Sequence, residues 1–144
     1  MTEYKRVFLD TAPLIYFLDN DERYGGAVKA IFEEILSRGG IIESSVITCE
    51  EYLVYPYRTG NVEKIQAFID FTGDFDIHLN PITREIAQKA AKIRAEYIGF
   101  KAMDALQLAT AIMRGCDVFL TNDRQLLQFT EIRCITPEQW AQRQ

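Results

Sequence analysis

The sequence predicts an α/β fold in which a mainly parallel sheet carries helices on both faces. Two observations lead there. Short apolar runs of the kind that make buried strands, such as Val7-Phe8-Leu9 and Val118-Phe119-Leu120, alternate with amphipathic stretches of helical period. Acids also follow those runs: Asp10 closes the first, and Asp123 stands just past Thr121-Asn122. A carboxylate where a buried strand stops and a helix starts lies at the carboxyl edge of a sheet, where open α/β proteins place their active sites.

The elements follow in order. Val7 to Leu9 is the first strand. Pro13 suits an early helical position, so a short helix runs through Leu14 to Leu18, with Thr11 competing with Asp10 for its N-cap. Gly26 to Ser37 forms a second helix on the stripe Val28, Ile31, Phe32, Ile35 and Leu36, ended by Gly39-Gly40. Ile41 to Ser44 is the second strand. Thr48 and Glu51 have the spacing of a capping box, which predicts a helix starting at Thr48 and ended or kinked by Pro56. Asn61 caps a helix to about Phe71, Phe75 to Leu79 is a short strand, and Thr83 caps a long helix to Tyr97. Gly99 breaks the chain before a helix over Ala102 to Met113, which Gly115 ends. Asp117 to Leu120 is the fourth strand, Arg124 to Leu127 a helical turn, and Ile132 to Ile135 the fifth strand. Thr136-Pro137-Glu138 opens a C-terminal helix anchored by Trp140.

The 144 residues are the size of one domain, and no linker, repeat or low-complexity segment divides residues 1–144. No apolar stretch approaches the roughly 18 residues of a membrane span. The run after Met1-Thr2-Glu3-Tyr4-Lys5-Arg6 is too short for a signal peptide. Cys49, Cys116 and Cys134 have no metal-ligand spacing and read as reduced, mostly buried thiols. The expected compartment is the cytoplasm. A net charge of -5 argues against a nucleic-acid partner only until bound divalent ions are counted.

Four acids carry the chemistry: Asp10, Glu51, Asp104 and Asp123. Each has a plain alternative. Asp10 serves as an N-cap, Glu51 completes a capping box, and Asp123 fits turn chemistry. Glu50 competes with Glu51 for the place facing the sheet edge, and the helical pattern does not decide between them. Asp104 resists a plain reading, because Ala105, Leu106, Leu108, Ala109, Ile112 and Met113 surround it with apolar helix. Clustered carboxylates raise one another's pKa and need a cation, and oxygen ligands without a Cys/His set select Mg²⁺ or Mn²⁺. Such an ion activates water and stabilises a departing oxygen, which implies hydrolysis of a phosphodiester without a protein nucleophile. Asp117, at the start of its strand, is the internal control: it belongs at the opposite edge, with only solvent or a turn around it.

Four segments in this order resemble the PIN-domain nucleases, and among them the VapC-type toxin ribonucleases of toxin–antitoxin pairs. They are Phe8-Leu9-Asp10-Thr11, Ser45 to Glu51, Ala102 to Ala111, and Phe119-Leu120-Thr121-Asn122-Asp123. The resemblance implies a three-layer α/β/α fold with a mainly parallel sheet of about five strands, and a metal-dependent endoribonuclease acting on RNA with Mg²⁺ or Mn²⁺. Its metal-binding acids fall on Asp10, Glu51, Asp104 and Asp123, with Glu51 in the acidic position rather than Glu50. Ala12 stands where the family often has Asn. Thr11, Thr121 and Asn122 resemble residues that hold carboxylates or water by hydrogen bonds. A homodimer blocked by a cognate antitoxin protein is the expected assembly.

Lys101, Arg124 and Arg58 are candidate phosphate contacts, each with solvated surface charge as the alternative. Tyr55, Tyr57 and Arg58 fit stacking on unpaired bases or, slightly better, a protein interface. His78, the only histidine, receives no catalytic role. A haloacid-dehalogenase-like phosphatase needs a second Asp where Ala12 stands, and a dinucleotide-binding enzyme needs a Gly-rich turn after the first strand that is absent. The serious rival is a non-catalytic PIN-like module binding RNA or protein.

Overall fold

The computed structural model describes residues 3–143; Met1 and Thr2, which open the N-terminal segment read above, and Gln144 lie outside the described residues. Five strands, β1 (Arg6–Leu9), β2 (Ile41–Ser45), β3 (His78–Asn80), β4 (Val118–Leu120) and β5 (Arg133–Ile135), form one sheet in the order β3-β2-β1-β4-β5. Every pairing is parallel, with Phe8 opposite Glu43 on one side and Phe119 on the other. The predicted α/β class is the observed one.

Among the described residues seven helices cover the sheet: α1 (Thr11–Leu18), α2 (Gly25–Ser37), α3 (Val46–Thr59), α4 (Val62–Asp74), α5 (Arg84–Glu96), α6 (Ala102–Met113) and α7 (Pro137–Gln142). Strand alternation divides the core into two layers. Val7, Leu9, Ile42, Val118, Leu120 and Ile135 point into a cluster with Leu14, Phe32, Phe68, Phe71 and Trp140. Phe8, Phe119 and Cys134 point the other way, onto Ile86, Ala90 and Ile93 of α5 and Ala105 and Leu108 of α6. The Phe8 and Phe119 rings stack at 5.3 Å between centroids. Both sheet faces are therefore dry, and the result is a three-layer sandwich.

Chain order fixes where a site can form. From β1 the sheet grows outward through β2 to β3, then the chain crosses back to place β4 on the other side of β1. The β1–β4 junction is thus the point where winding reverses, and the crevice beyond its carboxyl ends is the natural ligand site.

Several local expectations are corrected. The helix after β2 does not start at Thr48. β2 runs into α3 with no loop, Ser45 caps it by accepting from the Ile47 N–H, and Thr48 is a buried residue of the first turn. Pro56 does not end α3, which continues to Thr59 and stops at Gly60, whose φ of 62° suits a residue without Cβ. Asp10, not Thr11, is the N-cap of α1. Leu36 drops out of the buried stripe of α2, β3 begins at His78 rather than Phe75, and α4 extends to Asp74. Met113 is exposed, so α6 is less enclosed than its composition predicts. The three cysteines are free; Cys134 is buried, while Cys49 and Cys116 are half-buried. Trp140 anchors α7 as expected, packed on Tyr4 and donating its indole N–H to Glu34.

Candidate active site

Asp10 leaves β1 at the winding reversal. Its amide N–H donates to the Leu120 carbonyl of β4 at 3.0 Å. Its carboxylate caps α1 by accepting from the Thr11 N–H at 2.9 Å, and Oδ2 accepts from the Thr121 hydroxyl at 2.7 Å. The residue is 8% exposed. Burial pushes the carboxyl up to about 6; the Thr121 and Thr11 hydrogen bonds oppose this, and the nearby Asp104 and Glu51 carboxylates add to it.

Glu51 stands on α3, about a turn and a half from the strand end, and accepts from the Thr11 hydroxyl at 2.6 Å. With Thr48 inside the helix, no capping box accounts for Glu51. The geometry selects Glu51 over its neighbour Glu50, since Glu51 is the acid that bears on Asp10 and Asp104.

Asp104 lies in the first turn of α6 and is half-buried rather than enclosed. Burial raises its pKa first, the Asp123 and Glu51 charges raise it further, and Lys101 at the helix start lowers it. Asp123 follows β4, donates its N–H to the Thr121 hydroxyl at 3.0 Å, and caps the 3₁₀ turn Arg124–Gln128 through the Gln125 N–H. Asp10 and Asp123 thus keep their plain capping roles while sharing the cleft with Asp104 and Glu51.

Among the described residues no Lys, Arg or His forms an ion pair with any of these four acids. Four carboxylates without a cationic partner, Asp10 buried and Asp104 half-buried with Glu51 and Asp123 exposed beside them, match the charge of a divalent cation. The oxygens have not closed on one point: among the described residues no three His, Cys, Asp or Glu side chains form a ready-made metal cage. The donor chemistry fits a hard cation, and side-chain rotation must complete the geometry.

Beneath the acids runs a buried polar network that the sequence reading missed. The Thr48 hydroxyl meets Thr11 Oγ1 at 3.2 Å, accepts from Ser44 at 2.8 Å and accepts from Gln107 Nε2 at 2.9 Å. Gln107 is 1% exposed and also accepts from Ser45. Gln107 thus ties α6, which bears Asp104, directly to Thr48 of α3, which bears Glu51, and Thr11 of α1 joins the network at both Thr48 and Glu51. The available signal was a glutamine on the buried stripe of an otherwise apolar helix.

The other candidates divide. Thr11 and Thr121 touch carboxylates as expected. Asn122 does not: its amide donates to the Tyr16 hydroxyl at 2.8 Å, so it fixes α1 against the β4 loop instead. Lys101 is exposed beside Asp104, Arg124 is exposed with Glu138 3.7 Å away, and Arg58 lies exposed in the last turn of α3. Asp117 is at the opposite edge as predicted, but its carboxylate accepts from the Lys5 and Arg6 N–H groups, so solvent is not its only neighbour. A fully buried acid elsewhere was also missed: Glu43 of β2 is held by Arg6, Arg114 and Asn80.

The chain matches the PIN domain family over residues 7–132. It is a PIN-domain protein. This PIN domain has the fold of several solved toxin–antitoxin components. One is a chain of the Rickettsia felis VapBC2 complex bound to a promoter DNA fragment, with TM-score 0.76 and 13% identity, covering 91% of this chain and 98% of that one. Another is in DNA-bound VapBC from Salmonella typhimurium, at TM-score 0.70 and 20% identity, covering 92% and 98%. The sarcin–ricin-loop-cleaving toxin VapC20 of Mycobacterium tuberculosis aligns at TM-score 0.65 and 17% identity, covering 88% and 98%. No curated protein matches the sequence. No helix among the described residues is long and apolar enough to cross a membrane.

Proposed function

We propose that this PIN domain is a metal-dependent endoribonuclease, the toxin of a toxin–antitoxin pair, acting on RNA in the cytoplasm with Mg²⁺ or Mn²⁺. The observation that carries the reading is Asp10: a buried carboxylate at the winding reversal, without a cationic partner among the described residues, beside Asp104 and Glu51. Asp10, Glu51, Asp104 and Asp123 hold the ion. Once bound, it supplies an activated water and charge stabilisation for the departing oxygen. The chain's own residues prepare that step. Thr121 and Thr11 fix the carboxylates of Asp10 and Glu51 by hydrogen bonds, and the Thr48–Gln107 network fixes Thr11. Lys101 and Arg124 supply positive charge for the substrate phosphates at the two walls of the cleft; Arg58, two turns beyond Glu51 on α3, is the more peripheral candidate.

Inhibition by a cognate antitoxin belongs to the same reading, supported by neighbours solved as toxin–antitoxin complexes, and homodimerisation is part of the proposal. The test is cleavage of transfer RNAs and ribosomal RNA by purified protein with Mg²⁺ or Mn²⁺, with EDTA and Asp10→Asn as controls. Discrete new ends that vanish in both controls are expected. An intact RNA panel, with metal bound normally, supports the non-catalytic binding module instead.

A further inference from the structure

Glu51 lines a second space besides the acid cleft. A cavity of about 170 Å³ opens between α1, α3 and α4, lined by Glu51, Tyr55, Tyr52, Asp19 and Lys64. Tyr55 is one helical turn beyond Glu51 on α3 and is 63% exposed. Lys64 of α4 lies over the Tyr55 ring at 5.9 Å from its centroid and pairs with Asp19 at 3.4 Å. Asp19 Oδ1 is occupied by Lys64 and by the Tyr52 hydroxyl at 3.4 Å; Oδ2 accepts no hydrogen bond among the described residues.

We propose that this cavity is a nucleobase subsite, taking the base of the nucleotide next to the cleaved phosphodiester and favouring guanine. The inference rests on the ribonuclease reading, which puts the scissile phosphate beside Glu51. An unpaired base needs a π-face and a polar group at its edge, and the cavity supplies both: Tyr55 to stack, Asp19 Oδ2 to accept. Guanine presents adjacent N1–H and N2–H donors that the two lone pairs of Asp19 Oδ2 can accept together, whereas the other bases present a single donor group, so this acceptor ranks guanine first. Lys64 offsets the Asp19 charge, so the base enters without a net repulsive field from that pair. The size of the space fits one base better than a protein helix, which requires a longer apolar groove.

Two measurements separate this inference from the reading beneath it. The first is calorimetric titration of intact protein with guanosine, adenosine, cytidine and uridine 5′-monophosphates in Mg²⁺. Guanosine monophosphate should bind tightest. Tyr55→Ala should weaken it by roughly 5- to 100-fold, Tyr55→Phe should retain it, and Asp19→Asn should level the four nucleotides. Tyr57→Ala, an equally exposed ring on the same helix outside the cavity, should bind as wild type does. The second is mapping of cleavage ends, where guanosine should flank the cut and the preference should fade in Asp19→Asn. Equal nucleotide binding by wild type and Tyr55→Ala, or equal losses in Tyr55→Ala and Tyr57→Ala, overturns the subsite and leaves this face to a protein partner. Tight, Tyr55-dependent nucleotide binding without RNA cleavage overturns the nuclease reading alone.

Discussion

The Thr121 hydroxyl donates to Asp10 Oδ2 at 2.7 Å, and the same oxygen accepts the Asp123 N–H at 3.0 Å. One threonine at the end of β4 thereby fixes both the acid that follows β1 and the acid that follows its own strand. Thr121→Val removes the donor and the acceptor at nearly constant volume. Loss of such an outer contact costs roughly 10- to 100-fold in metal affinity. Calorimetric Mn²⁺ titration should show that loss in Thr121→Val and near-wild-type affinity in Thr121→Ser; equal affinity in all three proteins contradicts this role.

The network beneath the site should matter to stability as well as to positioning. Thr48 and Gln107 are buried and hydrogen-bonded to one another, so Thr48→Val leaves the Gln107 amide N–H without its acceptor and Gln107→Leu leaves the Ser45 hydroxyl without its own. Gln107→Leu and Thr48→Val should each destabilise the fold by about 1–3 kcal/mol in urea unfolding. Thr48→Ser, which keeps the hydroxyl, should recover most of it.

Asp10 opposes the fold in the absence of an ion. Its carboxyl titrates at about 6 when folded and near 3.8 when not. The native state therefore binds the proton more tightly, and stability falls as pH rises from about 4 to 6, levelling off above. Asp10→Asn keeps a residue that caps helices well and removes the charge. In EDTA at pH 7.5 it should melt above wild type, by about 1–3 kcal/mol of added stability, and the gap should close at pH 4. Asp10→Asn melting below wild type at pH 7.5 contradicts the claim.

Glu43 behaves in the opposite sense. Burial pushes its carboxyl up, but hydrogen bonds from Arg6, Asn80 and Arg114 more than offset this and hold it below the ordinary range. Its contribution is complete above the unfolded value of about 4.3 and is lost as pH falls through the lower folded value. Acid unfolding of wild type should steepen below that point, and Glu43→Gln should flatten the profile there.

Much of the fold was legible because several helix starts are written locally. Asn61, Thr83 and Thr136 cap helices where their spacing predicts, Thr136 with a full capping box through Gln139. The β2–α3 junction was not, because Ser45 and Thr48 both fit a cap and only the length of β2 chooses between them. The Asn122–Tyr16 contact was not legible because the two residues are remote in sequence, and the same distance hid the Glu43 cluster. The acids of the site stand out because carboxylates beside apolar runs are conspicuous. The hydroxyls and amide that support them resemble ordinary helix residues until the fold brings them together.

The central claim is that the four acids bind one divalent centre. Mn²⁺ titration by calorimetry of wild type beside Asp104→Asn tests it most directly, because Asp104, unlike Asp10 and Asp123, caps no helix. Saturable binding in wild type, lost or weakened at least tenfold in Asp104→Asn while the variant melts no lower than wild type in EDTA, is the predicted result. Absence of binding in wild type, or unchanged affinity in the variant, contradicts it.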